Sequence, residues 1–243
     1  MWRPKKNNAR EESLNHDRPY NPLQKRNLAE SIVRAILDQE PRPMSKTDDL
    51  GGAGVYIIYY TGDFPLYGPI AEQNAKGRFN QPIYIGKAIP KGGRKGGFTD
   101  DDSAMRGKAL RDRIGQHYTS IEEAKDLKVG DFTFRALVVD EIFIPLGENM
   151  LIEQFRPVWN LVIDGFGNKD PGVRRKDQYR SAWDVLHPGR KFAEKLGENP
   201  IAPEEYVASL TTFYETGKVV KPKKPPTATG TEQDSDDSDN EEN

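Results

Sequence analysis

The sequence predicts an α+β protein. A small three-stranded antiparallel sheet is flanked by helices, with an N-terminal helix, inserted loops and a C-terminal extension. Two observations carry this. Val55–Tyr60 and Ile83–Ile85 are short β-branched and aromatic runs set beside glycines, which is strand chemistry. The order that follows is strand, strand, helix, strand, helix, a layout in which helices cover a small sheet.

Residues 1–20 are polar, with Pro and Asn, and read as a loose arm. Leu28, Ile32 and Ile36 recur at four and predict a helix over Leu23–Gln39, closed by Pro41 and Pro43. Gly51-Gly52-Ala53-Gly54 leads into the first strand. Thr61–Gln81 reads as a long polar insertion, and Gly86 stops the second strand. Lys87–Ser103, rich in Gly and Lys, reads as a loop. A helix is expected from about Ala104 to Ser120, with Leu110, Ile114, Tyr118 and Ile121 as its buried stripe. Thr133–Ile144 is the third strand, ended by Pro145. Glu148–Phe155 is the second core helix, stopped before Pro157. Short helical patches follow around 181–196 and 203–216. The organisation expected is an arm and helix over 1–50, a core with inserted loops over 51–165 and a basic extension over 166–217. A Lys/Pro-rich, then acidic, disordered tail occupies 218–243.

Composition narrows the function. No apolar run approaches a membrane span, and no apolar stretch follows Met1-Trp2-Arg3-Pro4-Lys5-Lys6 as a secretory signal would require. The absence of cysteine excludes disulfides and thiolate metal sites, and the natural reading is cytoplasmic. The three histidines, His16, His117 and His187, leave little for zinc. Removing the seven acids of 231–243 from a chain of net charge −2 leaves a body at +5, mildly basic as nucleic-acid partners often are.

Several residues have chemical potential, each beside a plainer role. Glu148 shares the stripe of Ile152 and Phe155, and an acid there needs a charged partner, of which a divalent metal is one. The plain role is an acid at a helix N-terminus, worth roughly 0.3–1 kcal/mol. Glu153 is offset by about 140° and fits worse. Arg113 and His117, spaced i, i+4, share a helix face that could grip a phosphate or simply face solvent. Arg111 is out of phase with His117. Tyr56 and Tyr84 are ordinary strand residues unless a cation favours the phenolate, and Lys87 is a candidate for that charge.

Taken together, Gly54-Val55-Tyr56, Tyr84-Ile85-Gly86, Arg113/His117, Glu148 and Arg156-Pro157-Val158-Trp159-Asn160 come in an order that resembles the GIY-YIG nuclease superfamily. The resemblance covers roughly 54–160. It implies a GIY-YIG-like core and a site of Tyr56, Tyr84, Arg113, Glu148 and Asn160, with His117 matching a histidine of the restriction-enzyme branch. The tyrosine words lie 28 residues apart and Tyr84 lies 29 before Arg113, both longer than in compact members, which suggests added DNA-reading loops.

The chain looks like type II restriction endonucleases of this superfamily, in a branch that cleaves CCGCGG. The resemblance implies metal-dependent cleavage of double-stranded DNA, with Glu148 holding Mg²⁺ or, alternatively, Mn²⁺. A palindromic site implies a homodimer. Of the basic segments 87–113 and 169–195, Lys87, Arg94, Arg174, Arg175 and Arg180 are the candidates for DNA contact, on phosphates or on guanine edges. The rivals are a structure-specific repair or recombination nuclease, a catalytically silent DNA-binding module and an unrelated structural protein. The acidic tail is either a solubility tail or a shield over the basic groove. Truncation before Lys218 separates these. Shielding predicts tighter binding to random DNA at low salt, and unchanged binding leaves a solubility tail.

Overall fold

The computed structural model describes residues 21–89, 107–170 and 178–222. The strands among them form one antiparallel sheet in the order β1-β4-β2-β3, from β1 (Arg42–Pro43), β2 (Gly54–Tyr60), β3 (Pro82–Ala88) and β4 (Phe132–Val138). The helices are α1 (Lys25–Leu37), α2 (Gly68–Asn74), α3 (Ala109–Glu123), α4 (Ile144–Phe155), α5 (Val158–Leu161), α6 (Ala182–Leu186) and α7 (Pro203–Thr216). The fold is the expected α+β class with one correction: the sheet has four strands, not three. Arg42 pairs with Phe134, and Pro43, expected only to close the first helix, pairs with Thr133. A proline is tolerated in so short an edge strand.

β2 lies between β3 and β4, and all seven of its residues are buried. Its side chains alternate between two cores. Tyr56, Ile58 and Tyr60 enter one cluster with Leu110, Ile114 and Ile121 of α3, Trp159 of α5 and Phe213 of α7. Val55, Ile57 and Tyr59 enter the other, with Val33 and Ile36 of α1 and Ile144 and Leu151 of α4. Each fully buried isoleucine stabilises by roughly 1.5–3 kcal/mol. This double burial explains why the strand reads as a continuous apolar run. Phe166, Trp183 and Ile201 belong to the same cluster as Tyr56, so the segment after 165 completes that core.

Several boundaries differ from the expected ones. β3 runs through Gly86, expected to stop it, to Ala88, and α3 spans Ala109–Glu123 rather than about Ala104 to Ser120. β4 stops at Val138, and Pro145, expected to end a strand, sits in the first turn of α4, where its missing N–H has no partner to lose. The stretch 61–81 is not simply a polar loop. Pro65–Tyr67 forms a 3-10 turn that runs into α2, and Tyr67 and Ile70 are buried. Asn74 fastens its ends: the amide donates to the carbonyls of Tyr60 and Gln81, and its oxygen accepts from Gln81 N–H.

Gly54 is required by close approach. A Cβ there would run into the Leu137 carbonyl of β4, which is backbone and cannot rotate away. Gly54→Ala is therefore expected to destabilise the fold by about 1–3 kcal/mol, as overpacking does. Urea unfolding checks this, and a midpoint equal to wild type would refute it.

Candidate active site

β2 and β3 pair with Tyr56 opposite Gly86 and Ile58 opposite Tyr84. Tyr56 and Tyr84 are thus diagonal neighbours on one face, with ring centroids 6.3 Å apart. Gly86 leaves room for the Tyr56 phenol, because a Cβ there would meet its Oη and Cζ. The glycine of the second tyrosine word therefore accommodates the tyrosine of the first. Tyr56 is fully buried and Tyr84 partly exposed. Burial pushes the Tyr56 phenol well above its ordinary value, and the neighbouring Tyr84 adds to this. Burial also raises Tyr84, against the charge of Arg113.

α3 crosses this face. His117 is buried and its Nε2 meets Tyr56 Oη at 2.7 Å. Burial holds the imidazole well below its ordinary value, and the charges of Arg113, Arg190 and Lys169 press the same way, so His117 is neutral at pH 7. Arg113, one turn earlier, lies beside both phenols. Burial opposes its charge and the two neighbouring phenols favour it, and the guanidinium stays cationic. Arg113 donates to the Gly167 carbonyl at 2.7 Å and to Gln116 at 3.0 Å. The rival Arg111 faces away and pairs with Asp48 at 3.2 Å.

Glu148 approaches the β3 edge from α4. It lies in the second turn, not the first, because α4 begins at Ile144. A helix-dipole role is correspondingly weaker, since that effect fades beyond the first turn. Its carboxylate pairs with Lys87 Nζ at 2.9 Å, with 15% of the Glu148 side chain and 41% of Lys87 exposed. The Glu148 charge also opposes ionisation of both phenols, which places it within electrostatic reach of them. Among the described residues no three acidic or histidine side chains gather as a metal cage. Glu148, with part of its carboxylate side chain exposed, fits Mg²⁺, which binds through one or two carboxylates together with waters and substrate phosphates.

Asn160 contacts the strand rather than the glutamate or its helix. Its amide donates to the Ile85 carbonyl and its oxygen accepts from Ile85 N–H, both at 2.8 Å. β3 is an edge strand, and Asn160 satisfies outward groups that a further strand would otherwise pair. Arg180 donates to the carbonyl of Ala193 at 3.1 Å, with a longer contact to that of Glu194. Arg94, Arg174, Arg175, the N-terminal arm and the acidic tail lie outside the described residues.

The structure adds two residues that the sequence reading passed over. Phe166 stacks on His117, with centroids 4.4 Å apart and planes 17° from parallel. Gly167 supplies the carbonyl that holds Arg113 and lies close to Tyr84 Oη. Their one sequence signal is the run Gly165-Phe166-Gly167, an aromatic residue between two flexible ones. The depressed His117 pKa has a consequence for stability. Below about pH 6.5 the unfolded chain binds a proton at this ring that the folded chain refuses, so stability is retained above that pH and lost as pH falls. Urea midpoints at pH 7.5 and 5.5 should fall more steeply for wild type than for His117→Asn. Equal slopes would show that the ring is not held neutral.

A model of one protein family, described as the Eco29kI GIY-YIG domain, matches residues 48–214. A search of curated proteins found no match. The match spans β2, β3, β4, both core helices and the chain into α7, the elements that hold the two tyrosines, Arg113, His117, Glu148 and Asn160. The chain belongs to the Eco29kI GIY-YIG domain family of restriction-type nucleases.

Proposed function

We propose that the protein is a type II restriction endonuclease that hydrolyses both strands of double-stranded DNA at a palindromic G/C-rich site, with CCGCGG the first site to test. One observation supports this most: two phenols, a cationic arginine, a neutral histidine and a carboxylate converge at the β3 edge, within a family of nucleases. Such a set suits a phosphodiester. It offers a cation for the phosphate, neutral hydrogen-bonding groups for water, and a carboxylate for a divalent ion.

In this reading Glu148 would hold Mg²⁺, or Mn²⁺ in its place. When bound, the ion supplies Lewis-acid polarisation of a phosphate oxygen and stabilises the departing 3′ oxygen. Arg113 stabilises charge on the phosphate, with Gly167 fixing one of its amino groups. Burial divides the tyrosine roles. Tyr84, half-buried, is the more accessible phenol and orients the attacking water. Tyr56, sealed in the core and hydrogen-bonded to the neutral His117, fixes the hydrogen bonding beside Tyr84 and Arg113. Lys87 is the more exposed partner of Glu148 and can leave it for a DNA phosphate. Asn160 keeps β3, and so Tyr84, in register.

A palindromic target calls for a two-fold dimer with one site per strand. Among the described residues no helix is long and apolar enough to cross a membrane. The proposed place of action is the cytoplasm, on DNA. Arg174 and Arg175 are among the candidates for reading guanine.

The test is a plasmid digest with and without Mg²⁺. Wild type should give discrete, metal-dependent fragments that map to one sequence. Glu148→Ala should still bind DNA but cut at least about a hundredfold more slowly. Tyr84→Phe should lower kcat, and Tyr56→Phe should lower it without altering DNA binding. Cutting of forks or flaps with intact duplex untouched would replace this reading by a structure-specific nuclease. Binding without any product would leave a DNA-binding module.

A further inference from the structure

Arg190 has no exposed surface, although it carries a full charge. Its guanidinium is sandwiched between Trp183 and Phe192, at 4.6 and 4.7 Å from the ring centroids. Asp184 takes two of its donors, at 2.7 and 2.8 Å. The others reach the main-chain carbonyls of Gly165, Phe166 and Asn168 at 2.9, 3.1 and 3.5 Å. All five N–H groups of the fork are thereby directed at acceptors. Asp184 is itself fixed by the Ser181 hydroxyl at 2.6 Å, in the capping box that starts α6.

The turn held in this way has four carbonyls. Three point inward to Arg190. The fourth, of Gly167, accepts from Arg113. The same turn presents Phe166 to His117 and, edge-on at 5.0 Å, to Tyr84. A Cβ on Gly167 would lie 2.7 Å from Tyr84 Oη and 3.1 Å from Arg113 Nη2. Gly165 has φ +100°, and Ser181 packs where its Cβ would be. Apolar side chains could fill the volume of this ion pair, often without loss of stability. They could not hold three carbonyls inward and leave the fourth facing Arg113.

We infer that Arg190 and Asp184 are positioning residues for cleavage, acting through the Gly165–Asn168 turn on Arg113 and His117. The inference rests on the reading of Arg113 and His117 as active-site groups. It makes the segment after 165 part of the catalytic apparatus, independently of any contact it makes with DNA.

The test is Arg190→Lys, which keeps the charge and loses the fork. In protein that stays folded by circular dichroism, kcat should fall roughly ten- to a hundredfold while KM and Kd for DNA stay within about twofold. In an Arg113→Ala background the same change should add less than about a further twofold, because the group it positions is gone. Wild-type kcat in folded Arg190→Lys, or a loss that multiplies fully with Arg113→Ala, would overturn the inference. If Arg190→Lys does not fold, Gly167→Ala decides. It leaves the clamp intact and presses on Arg113 and Tyr84, so the same kcat-only loss is expected, and an unchanged kcat refutes the role of the turn. A readout free of DNA keeps the two proposals apart. The Arg113 guanidinium should show a hindered, slowly exchanging N–H in ¹⁵N spectra of wild type, lost in Arg190→Lys or, where that does not fold, altered in Gly167→Ala. If wild type cuts no DNA, the proposed function fails and this signal still decides the clamp. If wild type cuts and the signal is unchanged in the folded variant, the clamp alone fails.

Discussion

The register of β2 against β3 is the constraint on which the site depends. It sets Tyr56 opposite Gly86, where the missing side chain leaves space for the phenol. A slip of one residue would turn every β2 side chain to the other face, exchanging Tyr56 for Val55 or Ile57. Burial of β2 on both faces prevents that slip, since each face fits its own cluster. Asn160 secures the outer side of β3 by pairing with Ile85 in the manner of a neighbouring strand. The two tyrosine words are thus one structural unit, in which the second glycine exists for the first tyrosine.

Around that unit the electrostatics are divided by depth. Burial keeps Tyr56 and His117 uncharged, and the neutral pair shares a short hydrogen bond. The charged groups sit further out. Arg113 is half-buried and Glu148 pairs with the more exposed Lys87. A charge in the Tyr56 position would need a partner to offset desolvation, whereas Arg113 and Glu148 can meet phosphate and cation at the rim. This arrangement places the ionic work at the edge of β3 and leaves the interior to neutral hydrogen bonds.

The second half of the wall comes from the chain after residue 165. Phe166 and Trp183 share the core of Tyr56, and Arg190 orders the backbone between them and Arg113. Arg190 reads in sequence as one more cation of a basic extension. In the fold it has no access to solvent, so its charge serves main-chain carbonyls and not DNA. Arg180 is likewise engaged with backbone oxygens.

The sequence by itself determined the α+β class, the central strands and the helix carrying Arg113 and His117, because apolar periodicity and glycine placement are local signals. The phase of that helix preferred Arg113 to Arg111, and in the fold Arg111 pairs with Asp48. It also put Tyr56 and Tyr84 in the two words that the family match encloses. It missed α2, whose few apolar residues are sparse among polar ones, and β1, too short to leave a pattern. It started α4 late because Pro145 stops a strand and starts a helix equally well. The tertiary structure alone decided that Lys87 meets Glu148, that Tyr56 is sealed while Tyr84 is only half-buried, and that Arg190 holds the turn against Arg113. Those are pairings between distant segments, and their free energy comes from burial and from donors finding acceptors across the fold, which no local pattern encodes.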